Sequence, residues 1–170
     1  MAAPGDPVRR ELLALLPRLR RFARALTRNP DEADDLVQNA VERALRNLAA
    51  WTPGTRLDSW MFRIMKNAWI DEVRSRSVRD RVLAPEETGL NVGTGGAAEM
   101  ETHLEAQAAR TAMEALPEEQ RLVLALVLVE GFSYRETAEM LDVPIGTVTS
   151  RLARGRAAIE ARLSGRAEGA

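Results

Sequence analysis

Cysteine is absent from the chain, which excludes disulfides, thiolate nucleophiles and cysteine-ligated zinc together. Histidine occurs once, as His103, in an acidic, alanine-rich stretch with no serine spaced to partner it. A lone imidazole cannot assemble a histidine metal site or a nucleophile–base pair, so no metal, cofactor or triad chemistry is expected. Glycines are scattered or gathered in Gly93-Thr-Gly95-Gly96, without the GxGxxG or GxxxxGK[ST] spacing that cradles phosphates at a helix start. No apolar run reaches the roughly 18 residues of a membrane span, and Met1-Ala-Ala-Pro-Gly-Asp6 lacks the apolar core of a secretion signal. These absences point to a cytoplasmic binding protein without membrane insertion and not to an enzyme.

Lysine is nearly missing as well: of 24 basic residues only Lys66 is not arginine. With its abundant alanine, that bias fits a GC-rich coding sequence as readily as a function. At 45% hydrophobic and 29% charged residues, the composition is that of a folded chain and not a disordered one. The net charge is only −1, yet its distribution is uneven. Residues 1–82 carry 16 basic and 11 acidic groups, residues 83–105 carry five acidic and no basic ones, and residues 106–170 carry eight and nine. A basic front, an acidic middle and a mixed tail suggest three segments.

Apolar residues at Leu12, Leu15, Leu16, Leu19, Phe22, Ala23 and Leu26 recur at helical spacing, with Pro17 expected to kink or restart the helix. A second helix, N-capped by Asp31, is marked by Ala33, Leu36, Val37, Ala40, Val41, Ala44, Leu45 and Leu48. Trp51-Thr-Pro-Gly-Thr55 breaks it. Thr55 with Asp58 reads as a capping-box variant opening a third helix, whose core face is Leu57, Trp60, Met61, Ile64, Met65 and Ala68. The periodicity lapses between about Ser77 and Ala98, which predicts a flexible, acidic linker over 83–99 that stays extended. Helical spacing returns with Met100, Leu104, Ala108, Thr111 and Ala115, and Pro117 is placed at the first position of the next helix, which runs through Leu122, Val123, Leu126 and Val129 to Gly131. The fold class is therefore all-α: a helical domain over 1–82 and a second over 100–166, joined by the linker.

Ser133-Tyr-Arg-Glu136 has the spacing of a capping box. It opens a short helix with Ala138 and Leu141 inward, Asp142-Val143-Pro144 turns the chain, and a longer helix follows through Val148, Leu152, Ile159 and Leu163. This is a helix-turn-helix pattern, with Thr147, Thr149, Ser150, Arg151 and Arg154 near the start of the second helix. Such a helix fits the major groove, where arginine grips guanine and threonine or serine bonds a phosphate or touches a thymine methyl. The same pattern also occurs in helix pairs that never touch DNA. On the third helix, Arg63, Lys66, Asn67, Ile70 and Arg74 share one stripe, suited to single-strand phosphates and an unstacked base; a solvated helix face gives the same pattern. Of the tryptophans, Trp60 lies on the core face, Trp69 is borderline, and Trp51 at a loop edge is the one available for contact with a partner.

Four segments carry a resemblance: Asp34-Asp-Leu-Val-Gln-Asn-Ala-Val-Glu-Arg43; Trp60-Met-Phe-Arg-Ile-Met-Lys-Asn67 with Asp71 and Arg74; Leu116-Pro-Glu-Glu-Gln-Arg121; and Gly131-Phe-Ser-Tyr-Arg-Glu-Thr-Ala-Glu-Met-Leu141 continuing through Pro144 to Arg154. They resemble bacterial sigma factors of the minimal two-domain extracytoplasmic-function class, with residues 9–82 similar to the second conserved region and 100–163 to the fourth. The resemblance implies a non-catalytic subunit that brings RNA polymerase core to two promoter elements and assists melting of one. It implies that Asp35, Gln38, Asn39 and Arg43 dock on a coiled coil of the largest polymerase subunit; Asn39 departs from the family's usual glutamate, keeping an acceptor and losing a charge. It assigns Arg56, Arg63, Lys66, Asn67, Ile70 and Arg74, with the loop Trp51–Arg56, to the minus-ten element. Thr147, Thr149, Ser150, Arg151 and Arg154 are assigned to the minus-thirty-five element. An anti-sigma factor is the expected regulator. The acidic linker either threads a polymerase channel or serves as a plain spacer. An alternative from another class is an adaptor that mimics a sigma factor to bind an anti-sigma factor without engaging DNA; such a mimic can lose the recognition face, which is present here, and would be expected to carry a regulatory domain.

Overall fold

The computed structural model describes residues 7–82 and 97–167, with side chains over 7–79 and 106–165. Among the described residues there are seven α-helices and no strand. An N-terminal lobe holds α1 (Pro7–Leu26), α2 (Pro30–Arg46) and α3 (Leu57–Val82), and a C-terminal lobe holds α4 (Ala97–Glu114), α5 (Glu118–Leu124), α6 (Tyr134–Leu141) and α7 (Ile145–Ala167). The all-helical reading and the helix-turn-helix in α6–α7 therefore hold.

Several local expectations are corrected by the packing. Helix α1 runs through Pro17 without a restart: the ring sits on the exposed face, while Leu12, Leu15, Leu19, Phe22 and Leu26 are buried on either side of it. Burial of that stripe outweighs one missing backbone hydrogen bond. The N-cap of α2 is Asn29 and not Asp31; its Oδ1 accepts from the Glu32 amide at 2.8 Å, and Pro30 takes the first helical position, where no N–H is needed. Thr55 and Asp58 do not form a capping box. The Thr55 hydroxyl donates to the Thr52 carbonyl at 2.7 Å, and the Asp58 carboxylate accepts from the Ser59 amide and from arginines.

Helix α4 opens at Ala97, so it takes in the last residues of the expected linker. Among its described side chains Ala112 is buried and Thr111 exposed; beyond its end Ala115 is exposed and Leu116 buried, and Pro117 precedes α5 instead of starting it. Leu45 and Leu163 are exposed. The acidic segment expected to run extended falls mostly outside the described residues, as do the side chains of Met100, His103 and Leu104.

The larger hydrophobic core belongs to both lobes. Phe22, Met61, Phe62 and Met65 of α1 and α3 pack in one cluster with Leu122, Ala125, Leu126, Phe132 and Met140 of the C-terminal lobe. A smaller cluster, Leu116, Val123, Leu124, Ala138, Val148 and Leu152, seats α7 on α5. Between α5 and α6 the helix widens into a π-helical turn over Ala125–Val129, with the Glu130 amide donating to the Ala125 carbonyl at 3.1 Å, and Gly131 then turns the chain at φ 76°. A turn of this width carries Glu130 and Phe132 onto the N-terminal lobe. Phe62 meets Phe22 and Phe132 edge to face, each at 5.1 Å between centroids.

Candidate nucleic-acid interface

On α2 the apolar stripe Ala33, Leu36, Val37, Ala40 and Ala44 is buried, which turns Asp35, Gln38 and Asn39 to solvent. The Arg43 guanidinium is fixed from two sides: its Nε donates to Asn39 Oδ1 at 2.8 Å and its Nη1 to Asp71 of α3 at 2.7 Å. Asn39 thus acts as an acceptor that orients Arg43, and Gln38 donates to Glu42 at 3.3 Å. Asp35 and Asn39 also line a cleft of about 240 Å³ whose far wall is Glu118 and Arg121 of the C-terminal lobe.

On α3 the basic stripe divides. Arg63, Asn67 and Arg74 are exposed, whereas Ile70 is half-buried against the core and Lys66 is half-buried. Burial lowers the Lys66 pKa, Arg63 lowers it further, and Asp142 at the end of α6 opposes the shift. Ahead of α3, Gly54 at φ 87° and the Thr55–Thr52 hydrogen bonds close the loop into a turn. Arg56 leaves that turn and donates to Asp58 through Nε and Nη2 at 3.1 and 2.9 Å, while Nη1 pairs with Glu136 of α6. Its guanidinium also lies 5.7 Å from the Phe132 ring centroid. Trp51 packs half-buried on the core, with its indole nitrogen buried and without a hydrogen-bond partner among the described residues, and Trp69 is buried outright.

In the C-terminal lobe the capping box forms as the spacing predicts. Ser133 Oγ accepts from the Glu136 amide at 3.2 Å, and Glu136 Oε2 accepts from the Ser133 amide at 2.8 Å. These bonds from the Ser133 amide and hydroxyl, with the Arg56 charge, outweigh a small burial effect and hold the Glu136 carboxyl below its usual range. Asp142 then takes the left-handed conformation at φ 54° and turns the chain into α7. Val148 and Leu152 are buried, which leaves Thr149, Ser150 and Arg154 exposed and Thr147 half-buried. The Thr149 and Ser150 hydroxyls donate back to the Ile145 and Thr147 carbonyls, each at 3.1 Å. Arg154 is held along its own helix by the Ser150 carbonyl and hydroxyl. Arg151 differs, because its Nη2 donates across to Glu119 of α5 at 2.6 Å.

The residues that join the lobes escaped the sequence reading. Glu130, whose side chain is 0% exposed, accepts from Arg18 and Arg21. Arg18 also reaches Asp58 and lies over the Phe62 and Phe132 rings. Arg121 is buried and donates to the carbonyls of Met113, Glu114, Leu116 and, across the lobes, Leu26. The Leu26 acceptor of Arg121 and the arginines that meet Glu130 are distant in sequence, so no local pattern signals them.

A helix-turn-helix in one lobe, with a second basic helix face in the other, defines an all-helical protein with two candidate nucleic-acid surfaces. Residues 106–159 match the family described as Sigma-70, region 4, and residues 12–66 that described as the Sigma2 domain of PhyR. The ECF RNA polymerase sigma factor EcfG of Rhodopseudomonas palustris (strain TIE-1) is 39% identical over 160 residues, covering 93% of this chain and 86% of that protein. The ECF RNA polymerase sigma factor SigM of Mycobacterium tuberculosis is 38% identical over 147 residues, 86% of this chain and 71% of its own. Among solved structures, the sigma factor RpoE in complex with the anti-sigma factor NepR from Bartonella quintana superposes with a TM-score of 0.75 at 31% identity, over 92% of this chain and 96% of that one. The chain belongs to the extracytoplasmic-function family of RNA polymerase sigma factors.

Proposed function

We propose that this sigma factor recruits RNA polymerase core through the α2 face of Asp35, Gln38, Asn39 and Arg43. It then engages two promoter elements: the minus-ten strand through Arg56, Arg63, Lys66, Asn67, Ile70 and Arg74, and the minus-thirty-five duplex through Thr147, Thr149, Ser150, Arg151 and Arg154. It works without a cofactor or a catalytic centre, in the cytoplasm, and under the control of an anti-sigma factor. The observation that carries this reading is α7: its apolar side is buried against α5, so the hydroxyls of Thr149 and Ser150 and the guanidinium of Arg154 face solvent, while Arg151 at the flank leans across to Glu119 of α5. Phosphate and base-edge donors at a helix start are what major-groove reading requires.

Transcription in vitro with core polymerase and a promoter library tests recruitment and specificity together. Promoter-dependent transcripts, weakened by Asp35→Lys at constant helicity, are the expected result. A chain that binds an anti-sigma factor yet yields no transcript from any promoter would instead be the sigma-mimicking adaptor.

A further inference from the structure

The two arginines at the start of α7 are held differently. Among the described residues Arg154 is braced by its own helix alone, through the Ser150 carbonyl and hydroxyl at 3.3 Å each. Arg151 is braced by a different helix, and its side chain is 19% exposed against 71% for its partner Glu119. Glu119 sits on a firm base. Its neighbour Arg121 ties the start of α5 to three carbonyls at the end of α4 and to Leu26 of α1. Farther along, Leu124 packs against α7 where Gly155 leaves room for it.

We propose that Glu119 is a positioning residue for promoter specificity. It clamps one nitrogen of Arg151, so that the guanidinium presents its remaining donors in a fixed direction to the minus-thirty-five duplex. This deepens the assignment of α7 above and rests on it. The chemistry follows from the shape of the group. A guanidinium is a planar fork with five donors, and fixing one nitrogen fixes the plane, which lowers the entropy lost when the free edge meets a base. The carboxylate also neutralises Arg151, so the pair contributes little sequence-independent attraction to phosphates, a role left to Arg154 and its neighbours. Arg151 becomes the discriminating cation and Arg154 the anchoring one.

The test uses the full chain assembled with core polymerase, on a library randomised over the upstream element, at low and moderate salt. Glu119→Gln is expected to reduce discrimination at a single base-pair position by roughly tenfold. It should at the same time strengthen binding to unrelated DNA and steepen its salt dependence, because the Arg151 charge is released. Arg151→Ala should flatten the same position, Glu119→Gln should add nothing to it, and Glu119→Asp should recover part of the profile. A merely structural role cannot weaken specific reading and strengthen non-specific binding together. If Arg151→Ala flattens a position while Glu119→Gln keeps the original profile, Glu119 does not position. A uniform loss at every base pair, with a lowered melting temperature, makes Glu119 structural and overturns the proposal. No effect from Arg151→Ala removes Arg151 from the recognition face and overturns the proposal, and no effect from Arg154→Ala as well removes the recognition-helix assignment itself.

Discussion

Arg121 carries a charge into the interior without an ion pair among the described residues; burial lowers its pKa, with Arg28 pushing the same way and Glu118 and Glu114 opposing. What holds it is geometry. Four carbonyls, from Leu26, Met113, Glu114 and Leu116, accept from the one guanidinium, each of them left with an unmet lone pair if the fork is removed. Hydrogen bonds to a charged donor are worth about 1.5–3 kcal/mol each and are not additive. Arg121→Ala is therefore expected to destabilise the fold by about 3 kcal/mol, read as a lower urea midpoint. Arg121→Lys keeps the charge but offers three donors from one point, which cannot span four acceptors, so it should recover only part. A lysine variant as stable as the original would mean that charge, and not the fork, matters here. Arg121 lies within a motif that the sequence made conspicuous, Leu116-Pro-Glu-Glu-Gln-Arg121, but nothing local reveals its acceptor on Leu26, which lies 95 residues away.

At the scale of elements, α5 and α7 make the closest helix contact that the glycines disclose. A Cβ on Gly155 would overlap Leu124 Cδ1, and Leu124 is itself fully buried, so its side chain has nowhere to yield. Alanine gains about 1 kcal/mol over glycine inside a helix, whereas overpacking a core costs about 1–3 kcal/mol. Gly155→Ala is thus expected to be destabilising on balance. Gly146→Ala, where a Cβ meets nothing within 4 Å, should be neutral or slightly stabilising, and equal melting temperatures for the two variants would sink the close-contact account. The helices themselves were legible in the sequence because each buries a stripe at helical spacing, as Leu36, Val37, Ala40 and Ala44 do on α2. The capping box of Ser133 and Glu136 was legible because all its atoms lie within one turn. Where local signals competed, tertiary packing decided. Trp51 folded onto the core from its loop, and Asp58 turned to Arg18 and Arg56 instead of completing a box; the Asn29 cap of α2, by contrast, is a local bond to the Glu32 amide. The exposed members of the candidate site, such as Asn67 and Arg154, follow from helical phase alone. The braces on Arg43, Arg56 and Arg151 do not, since Asp71, Glu136 and Glu119 approach from other helices.

Over the whole molecule, the two lobes close on each other through charge and aromatic contact together. Arg56, at the edge of the minus-ten loop, is bound by Asp58 and by Glu136, the residue that also caps the first helix of the helix-turn-helix. The loop proposed for the minus-ten element is thereby tied to the helix that precedes the proposed recognition helix, and Arg56 is engaged by carboxylates of both lobes. Burial pushes the Asp58 carboxyl up, but hydrogen bonds from Arg56, the Ser59 amide and Arg18 together outweigh it and hold the group below its ordinary value. Glu136 is held low as well. Most of both depressions arises within one lobe, from Arg56, Ser59 and Arg18 on Asp58 and from Ser133 on Glu136; only the attraction of Arg56 for Glu136 crosses the lobes, so closure keeps that contribution above the usual unfolded range of about pH 4 to 5 and loses it as pH falls through the folded value of Glu136. Because the chain has no cysteine, a dye pair can be placed on cysteines introduced at the exposed Ser75 and Ala161. Energy transfer should stay constant from neutral pH to about pH 5 and change below about pH 4 while helicity is retained. Glu136→Gln combined with Glu130→Gln should produce the change already at neutral pH. If closure sets aside part of the population, apparent affinity for core polymerase is reduced by the fraction that is open. The double variant should then bind core polymerase more tightly than the original chain. Transfer that follows the loss of helicity, with unaltered polymerase affinity for the double variant, would show that these ion pairs do not govern closure.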